Sequence, residues 1–212
     1  MTIAFDLDDT LYPEIEFVRS AYRAISARYS RPELSAMMDA APSPREAFDM
    51  AACLLGLPDA APLLRIYREH KPDISLAPEI ESTLLELKNR GIALSLITDG
   101  RSLTQRNKIS ALGLDRYFDS NMVFISEETG ADKMSGLPFR LTESTAISPP
   151  YFYIGDNPAK DFFQPRRMGW KTIMLNGVNR NIHTQDLTLF PPEFHPHAEI
   201  NSIEELSQMA CL

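Results

Sequence analysis

Near the start of the chain an apolar run, Ile3-Ala4-Phe5, ends in Asp6-Leu7-Asp8-Asp9-Thr10. Three acids at the exit of a buried strand repel one another, and each loses hydration. The cluster makes physical sense if a cation or a reacting group sits among them. Comparable polar groups follow other apolar runs: Thr98-Asp99-Gly100 beyond residues 92–97, Lys133 in the loop region beyond 122–125, and Gly155-Asp156 beyond 151–154, with Asp161 shortly after. Singly, each is an ordinary strand-end turn. Their joint order carries more weight, and the expectation for the acid cluster is that a phosphoryl group meets Mg²⁺ there.

Something must bring these groups to one place. Residues 2–6, 92–97, 122–125, 151–154 and 172–175 are short apolar runs whose continuity suits strands covered on both faces, and a last strand is expected around 198–201. Helical patterns alternate with them, which predicts an α/β fold with an open parallel sheet and helices on both faces. In such sheets ligands bind beyond the carboxyl ends of the strands, where each of these polar groups falls.

One stretch breaks the alternation. Residues 14–29 carry Ile15, Val18, Tyr22, Ile25 and Tyr29 at helical spacing, and further helices are expected over 33–40, 43–56 and 63–70. Ser43-Pro44-Arg45-Glu46 joins an N-cap serine, a proline at the first helical position and a capping-box glutamate. With no strand among them, residues 14–76 read as an inserted all-helical module. Beyond it, 78–90 reads as a helix stopped by Gly91, Ser102-Leu103-Thr104-Gln105 as a second capping box, and 202–209 as a short terminal helix.

Bulk properties exclude some functions. A formal net charge of -8 opposes binding to nucleic acid or an anionic membrane, although a bound cation can still create a local site for a small anion. Cys53 and Cys211 have neither metal-ligand spacing nor a disulfide pattern. His195-Pro196-His197 lacks the further ligands of a metal site, and Tyr151-Phe152-Tyr153 reads as a strand. No stretch approaches the about 18 apolar residues of a membrane span, and no leader pattern opens the sequence, so the expected location is the cytoplasm. Oligomeric state is not legible.

The ordered set resembles the haloacid dehalogenase-like superfamily, in its Mg²⁺-dependent phosphatase branch with a helical cap inserted after the first motif. The resemblance spans the chain, with 1–13 and 77–212 as a Rossmann-like core domain and 14–76 as the cap domain. It implies that Asp6 is the nucleophile, forming an aspartyl-phosphate, and that Asp8 is the acid and then the base. Thr98, Asp99, Gly100 and Lys133 would bind the transferred phosphate, with backbone N–H groups around Asp99 and Gly100 completing the cradle. Asp6, the Asp8 carbonyl and Asp156 would hold Mg²⁺, and Asp161 would support its outer shell. Met134 stands where many members have proline after the lysine. The implied partner is a small phosphorylated metabolite, such as a nucleotide or sugar phosphate. A phosphomutase using the same intermediate, and a non-catalytic binder of phosphorylated ligands, remain as alternatives. On the first helix of the module, Arg19, Tyr22 and Arg23 are candidates for a second anionic group on the substrate, or simply that helix's wet face.

Overall fold

The computed structural model of the chain describes residues 1–146, 148–177 and 181–208. After β1 (Thr2–Phe5) come five helices: α1 (Glu14–Arg28), α2 (Glu33–Asp39), α3 (Pro44–Leu54), α4 (Ala61–Glu69) and α5 (Pro78–Asn89). Strand and helix then alternate through β2 (Ala93–Thr98), α6 (Ser102–Ala111), β3 (Val123–Ile125), α7 (Ser126–Thr129) and α8 (Leu137–Thr145). The chain continues with β4 (Tyr151–Gly155), α9 (Phe163–Arg167), β5 (Lys171–Leu175), β6 (Ala198–Ile200) and α10 (Glu205–Gln208). All six strands pair in parallel in the order β3-β2-β1-β4-β5-β6.

Side-chain alternation along the central strands makes the two faces of the sheet. Ile3 and Phe5 of β1, Leu94 and Leu96 of β2, and Phe152 and Ile154 of β4 enter one apolar cluster with Leu84 and Leu87 of α5 and Ile109 of α6. Ala4, Ile97 and Tyr153 point the other way, onto Phe139 of α8 and Trp170. A one-residue slip of β1 would exchange Ile3 and Phe5 for Ala4, so burial pins the register that delivers Asp6 to the strand's end.

Helices α1 to α4 build an apolar cluster of their own. Tyr22 and Ile25 of α1 pack with Met38 of α2, Phe48 and Ala51 of α3 and Leu63 of α4. Phe17 of α1 instead joins the sheet-side cluster and meets the Tyr67 ring edge-on, with 5.1 Å between centroids. The capping proline and serine of α3 stand as expected: Ser43 Oγ accepts from the Glu46 N–H at 3.2 Å and donates to Glu46 Oε1 at 2.8 Å. Where α4 ends, its last carbonyls are taken by side chains of α6. Thr104 Oγ1 donates to Arg68 O at 3.0 Å, and Asn107 Nδ2 to Glu69 O and His70 O at 3.3 and 3.1 Å.

The second expected capping box does not form. Arg101 precedes α6 and no side chain caps it; the Ser102 hydroxyl donates to Glu128 and Gln105 turns into the protein interior. Among the described residues no helix is long and apolar enough to cross a membrane. Met209, at the end of the expected terminal helix, and Cys211 lie outside the described residues.

Candidate active site

Parallel register brings three polar residues to one end of the sheet. Asp6 directly follows β1, Thr98 is the last residue of β2 and Asp156 directly follows β4, and those three strands are adjacent. The Asp6 N–H continues the ladder by donating to Ile154 O at 2.8 Å, so the nucleophile candidate is held by the sheet rather than by a loose turn. Asp9 shapes the turn that leads into α1. With φ at 53° it takes the left-handed conformation that asparagine and aspartate tolerate best, and its carboxylate accepts from the N–H of Glu14 at 2.8 Å and of Ile182 at 2.9 Å.

Lys133, in a single turn of 3₁₀ helix, is 3% exposed. Its Nζ lies 2.7 Å from Asp6 Oδ1 and 2.7 Å from Asp161 Oδ1. A lysine this deep is tolerable only when paired, and here two carboxylates share it. Asp161 is fully occupied by protein donors. Its Oδ2 accepts from the Asp156 and Asn157 N–H groups at 3.1 and 2.8 Å, and Tyr153 OH approaches Oδ1 at 3.4 Å. Among the described residues only Oδ2 of Asp156 accepts from a side chain, from Asn181 Nδ2 at 2.9 Å, and no donor to its Oδ1 is seen there.

One carboxylate oxygen from each of Asp6, Asp156 and Asp161 lies within 4.8 Å of the others, all three residues being buried. Burial, together with the neighbouring acids, pushes the Asp6 carboxyl up to about 8 despite Lys133, and the Asp156 carboxyl up to about 9. The cluster is therefore short of positive charge. Hard oxygens, tight clustering and that deficit fit a small divalent cation.

Asp8 has different company. Lys108 Nζ lies 2.7 Å from its Oδ1, Gln105 Nε2 donates to its Oδ2 at 3.0 Å, and the Tyr12 hydroxyl donates to Oδ1. Burial alone would raise this carboxyl, but Lys108, with Tyr12 and Gln105, outweighs it and holds the group below its ordinary value. Two carboxylates two residues apart thus occupy opposite electrostatic environments. They also border a shared cavity of about 180 Å³ with Thr98, Lys133, Asp156 and Asp161. On the side of the helices, Asp8 lines a second cavity of about 250 Å³ with Phe17, Tyr67, Arg68, Arg101 and Lys108.

The family model described as haloacid dehalogenase-like hydrolase matches residues 3–175. The chain belongs to that family. It is 32% identical over 204 residues to a phosphoserine phosphatase of Thermus thermophilus, covering 92% of this chain and 77% of the relative. It is 30% identical over 224 residues to a glyceraldehyde 3-phosphate phosphatase of Methanocaldococcus jannaschii, covering 96% and 94%. Among solved structures, the HAD-hydrolase YfnB of Bacillus subtilis bound to magnesium superposes with a TM-score of 0.71 at 22% identity, over 98% of this chain and 97% of that one. A 2-haloacid dehalogenase from Pseudomonas syringae superposes at 0.62 and 22%, over 98% and 97%, so the shared fold alone does not select the reaction.

In this haloacid dehalogenase-like hydrolase the expected phosphate cradle is only partly free. Thr98 Oγ1 accepts from Gln105 Nε2 at 2.6 Å and retains its own proton to donate. Asp99 Oδ1 accepts from the Lys133 N–H at 3.1 Å, so it ties the lysine's loop to the end of β2. The Gly100 N–H is not available to a ligand, because it donates to Ser126 Oγ at 2.9 Å. Glycine is needed there for another reason: φ is 152°, and a Cβ would lie 3.0 Å from the Gln105 side chain. Met134 leaves Lys133 in the site, its carbonyl accepting from Gln164 Nε2 at 2.6 Å.

The candidates on the first helix lie elsewhere. Arg19 pairs with Asp39 at 3.0 Å and Arg23 with Asp73 at 3.4 Å, while Tyr22 packs edge-on against Phe48 inside the helical cluster. None borders the cavity at Asp6. The residues that do complete the site unannounced are Tyr12, Gln105 and Lys108. A signal for two of them was present: Gln105, Lys108, Ile109 and Leu112 follow the i, i+3, i+4, i+7 rule, so two polar residues occupy the inward stripe of α6.

Proposed function

We propose that this chain is a Mg²⁺-dependent phosphomonoesterase that works through a phosphorylated Asp6. The observation that carries this reading is Lys133 Nζ, 2.7 Å from both Asp6 and Asp161, fixing a nucleophilic carboxylate beside a metal-type acid cluster at the carboxyl end of the sheet. The phosphatase names of the curated relatives support the same chemistry.

Asp6, the Asp8 carbonyl and Asp156 would hold the ion, with Asp161 orienting Lys133 and the Asp156 backbone around it. When bound, Mg²⁺ would offset the repulsion between the Asp6 carboxylate and a phosphate dianion. The Asp6 carboxylate then attacks phosphorus in line with the ester oxygen, forming one O–P bond as the other breaks. Asp8, protonated as the anionic phosphate binds beside it, gives that proton to the departing oxygen, which leaves as an alcohol. In the second half-reaction Asp8 takes a proton from water as the water oxygen attacks phospho-Asp6, releasing inorganic phosphate and restoring the Asp6 carboxylate. Lys108, Tyr12 and Gln105 favour the carboxylate form of Asp8, which is the form required at that second step. Thr98 donates its hydroxyl to a phosphoryl oxygen throughout.

Residues 14–76 serve in this reading as the cap over a core of 1–13 and 77–212, and the leaving group lies in the cavity beyond Asp8, between Phe17 and Arg101. That volume, about 250 Å³, suits a small phosphorylated metabolite. Release of phosphate from p-nitrophenyl phosphate with Mg²⁺ tests the proposal. The wild-type chain turns over, and Asp6→Asn is silent; turnover by Asp6→Asn excludes the mechanism.

A further inference from the structure

We propose that Lys108 and Gln105 are positioning residues for Asp8, setting its carboxylate at a fixed place relative to Thr98 so that it serves the leaving oxygen. The inference rests on the phosphomonoesterase reading of Asp6.

The geometry is economical in its number of parts. The Gln105 side-chain amide carries two N–H bonds, and it spends one on Thr98 Oγ1 at 2.6 Å and the other on Asp8 Oδ2 at 3.0 Å. A single planar group therefore sets the separation between the hydroxyl that would hold the phosphoryl group and the carboxylate that would move the proton. Lys108 takes the other Asp8 oxygen at 2.7 Å. Gln105 is 2% exposed and Lys108 3%, so neither contact is diluted by water.

The lysine is itself held from the helical segment. Glu14 Oε1 stands 3.9 Å from its Nζ and the Phe17 ring centroid 4.3 Å, both on α1. The site consequently has one buried lysine for each working acid: Lys133 on Asp6, delivered by the loop between β3 and β4, and Lys108 on Asp8, delivered by α6. A plain ion pair joining α6 to the β1 loop would need neither the bridge to Thr98 nor placement at the boundary of the two cavities.

Leaving-group dependence separates positioning from mere support. Proton donation matters little when p-nitrophenolate departs and much more when the less acidic phenol departs, while the two esters have nearly the same shape. The constant kcat/KM reports aspartyl-phosphate formation alone, so the ratio of kcat/KM for phenyl phosphate to that for p-nitrophenyl phosphate reads Asp8's placement. With Mg²⁺ present, Lys108→Met and Gln105→Leu should each lower this ratio about tenfold or more, towards the value set by Asp8→Asn. Thermal unfolding of each variant checks that the fold persists, and the two variants act on different Asp8 oxygens. An unchanged ratio in both, with equal losses on the two esters, overturns the proposal and leaves a structural pair. A ratio unchanged even in Asp8→Asn instead removes the acid role of Asp8, and turnover by Asp6→Asn removes the phosphomonoesterase reading itself.

Discussion

The Asp161 carboxylate occupies the space that a side chain on residue 155 would need: a Cβ built on Gly155 would sit 2.5 Å from Asp161 Oδ2. Asp161 cannot retreat cheaply, because its oxygens hold Lys133 and the backbone of Asp156 and Asn157. Gly155→Ala should therefore misplace Asp161 and with it the lysine. The expected loss is about tenfold to a hundredfold in phosphatase activity, the range typical when a group supporting a metal site is displaced. Steady-state kinetics with saturating Mg²⁺ measure it.

Removing the shared cation isolates buried charge. Lys133→Met leaves Asp6 and Asp161 without their 2.7 Å partner, which should cost about 3 kcal/mol of stability in metal-free buffer. Urea unfolding with chelator present gives the figure. Activity should vanish in the same variant.

Metal addition should act in the opposite sense. A cation that binds the folded chain at Asp6 and Asp156 raises the unfolding temperature by mass action. Mg²⁺ is expected to stabilise the wild type and to have little effect on Asp156→Asn, as followed by calorimetry. Chelation should abolish phosphate release, and excess Mg²⁺ should restore it.

Arginines on the two sides of the helical segment should behave differently. Arg19→Ala breaks an exposed pair with Asp39 and should change stability by no more than about 0.5 kcal/mol, with kinetics untouched. Arg68→Ala, at the cavity beyond Asp8, should raise KM for an anionic substrate roughly fivefold, the equivalent of about 1 kcal/mol. Comparing substrates with and without a second anionic group decides the point.

His70 supplies a pH-dependent term away from the acid cluster. Burial holds its imidazole below the ordinary value of 6.5, despite the Tyr67 carbonyl that bonds to Nδ1 at 2.9 Å. A folded-state pKa below the unfolded one gives stability that is full above the unfolded value and lost as pH falls through the folded one. Between about pH 7.5 and about pH 5 the wild type should lose more stability than His70→Gln, measured by denaturant unfolding.

Much of this was legible from local pattern. Continuous apolar runs ending in Asp6, Thr98 and Gly155-Asp156 mark parallel strands and their ligand end, because strands covered on both faces leave polar residues only at their exits. The helices of 14–69 were legible from helical spacing and from the Ser43-Pro44 start. What escaped depends on tertiary neighbours. Gln105 fits a capping box in sequence, yet burial of the α6 stripe turns it onto Thr98 and Asp8. The Gly100 N–H reads as a phosphate donor until Ser126, brought up by β3, takes it. Arg19 and Arg23 have the right charge, but the partners that occupy them, Asp39 and Asp73, are distant in sequence. Spacing along one helix cannot show which face an unrelated segment covers.

His70 caps the Ile66 and Tyr67 carbonyls of α4, but the carbonyls beyond them, of Arg68, Glu69 and His70, are satisfied by side chains of α6. That arrangement couples mechanics to chemistry, since the same helix that anchors the far segment also carries Gln105 and Lys108. Prising the two apart would leave Arg68, Glu69 and His70 carbonyls without their donors, while tugging on the support of Asp8. Any breathing of this seam would reach the Asp8 carboxylate through the one helix that touches both.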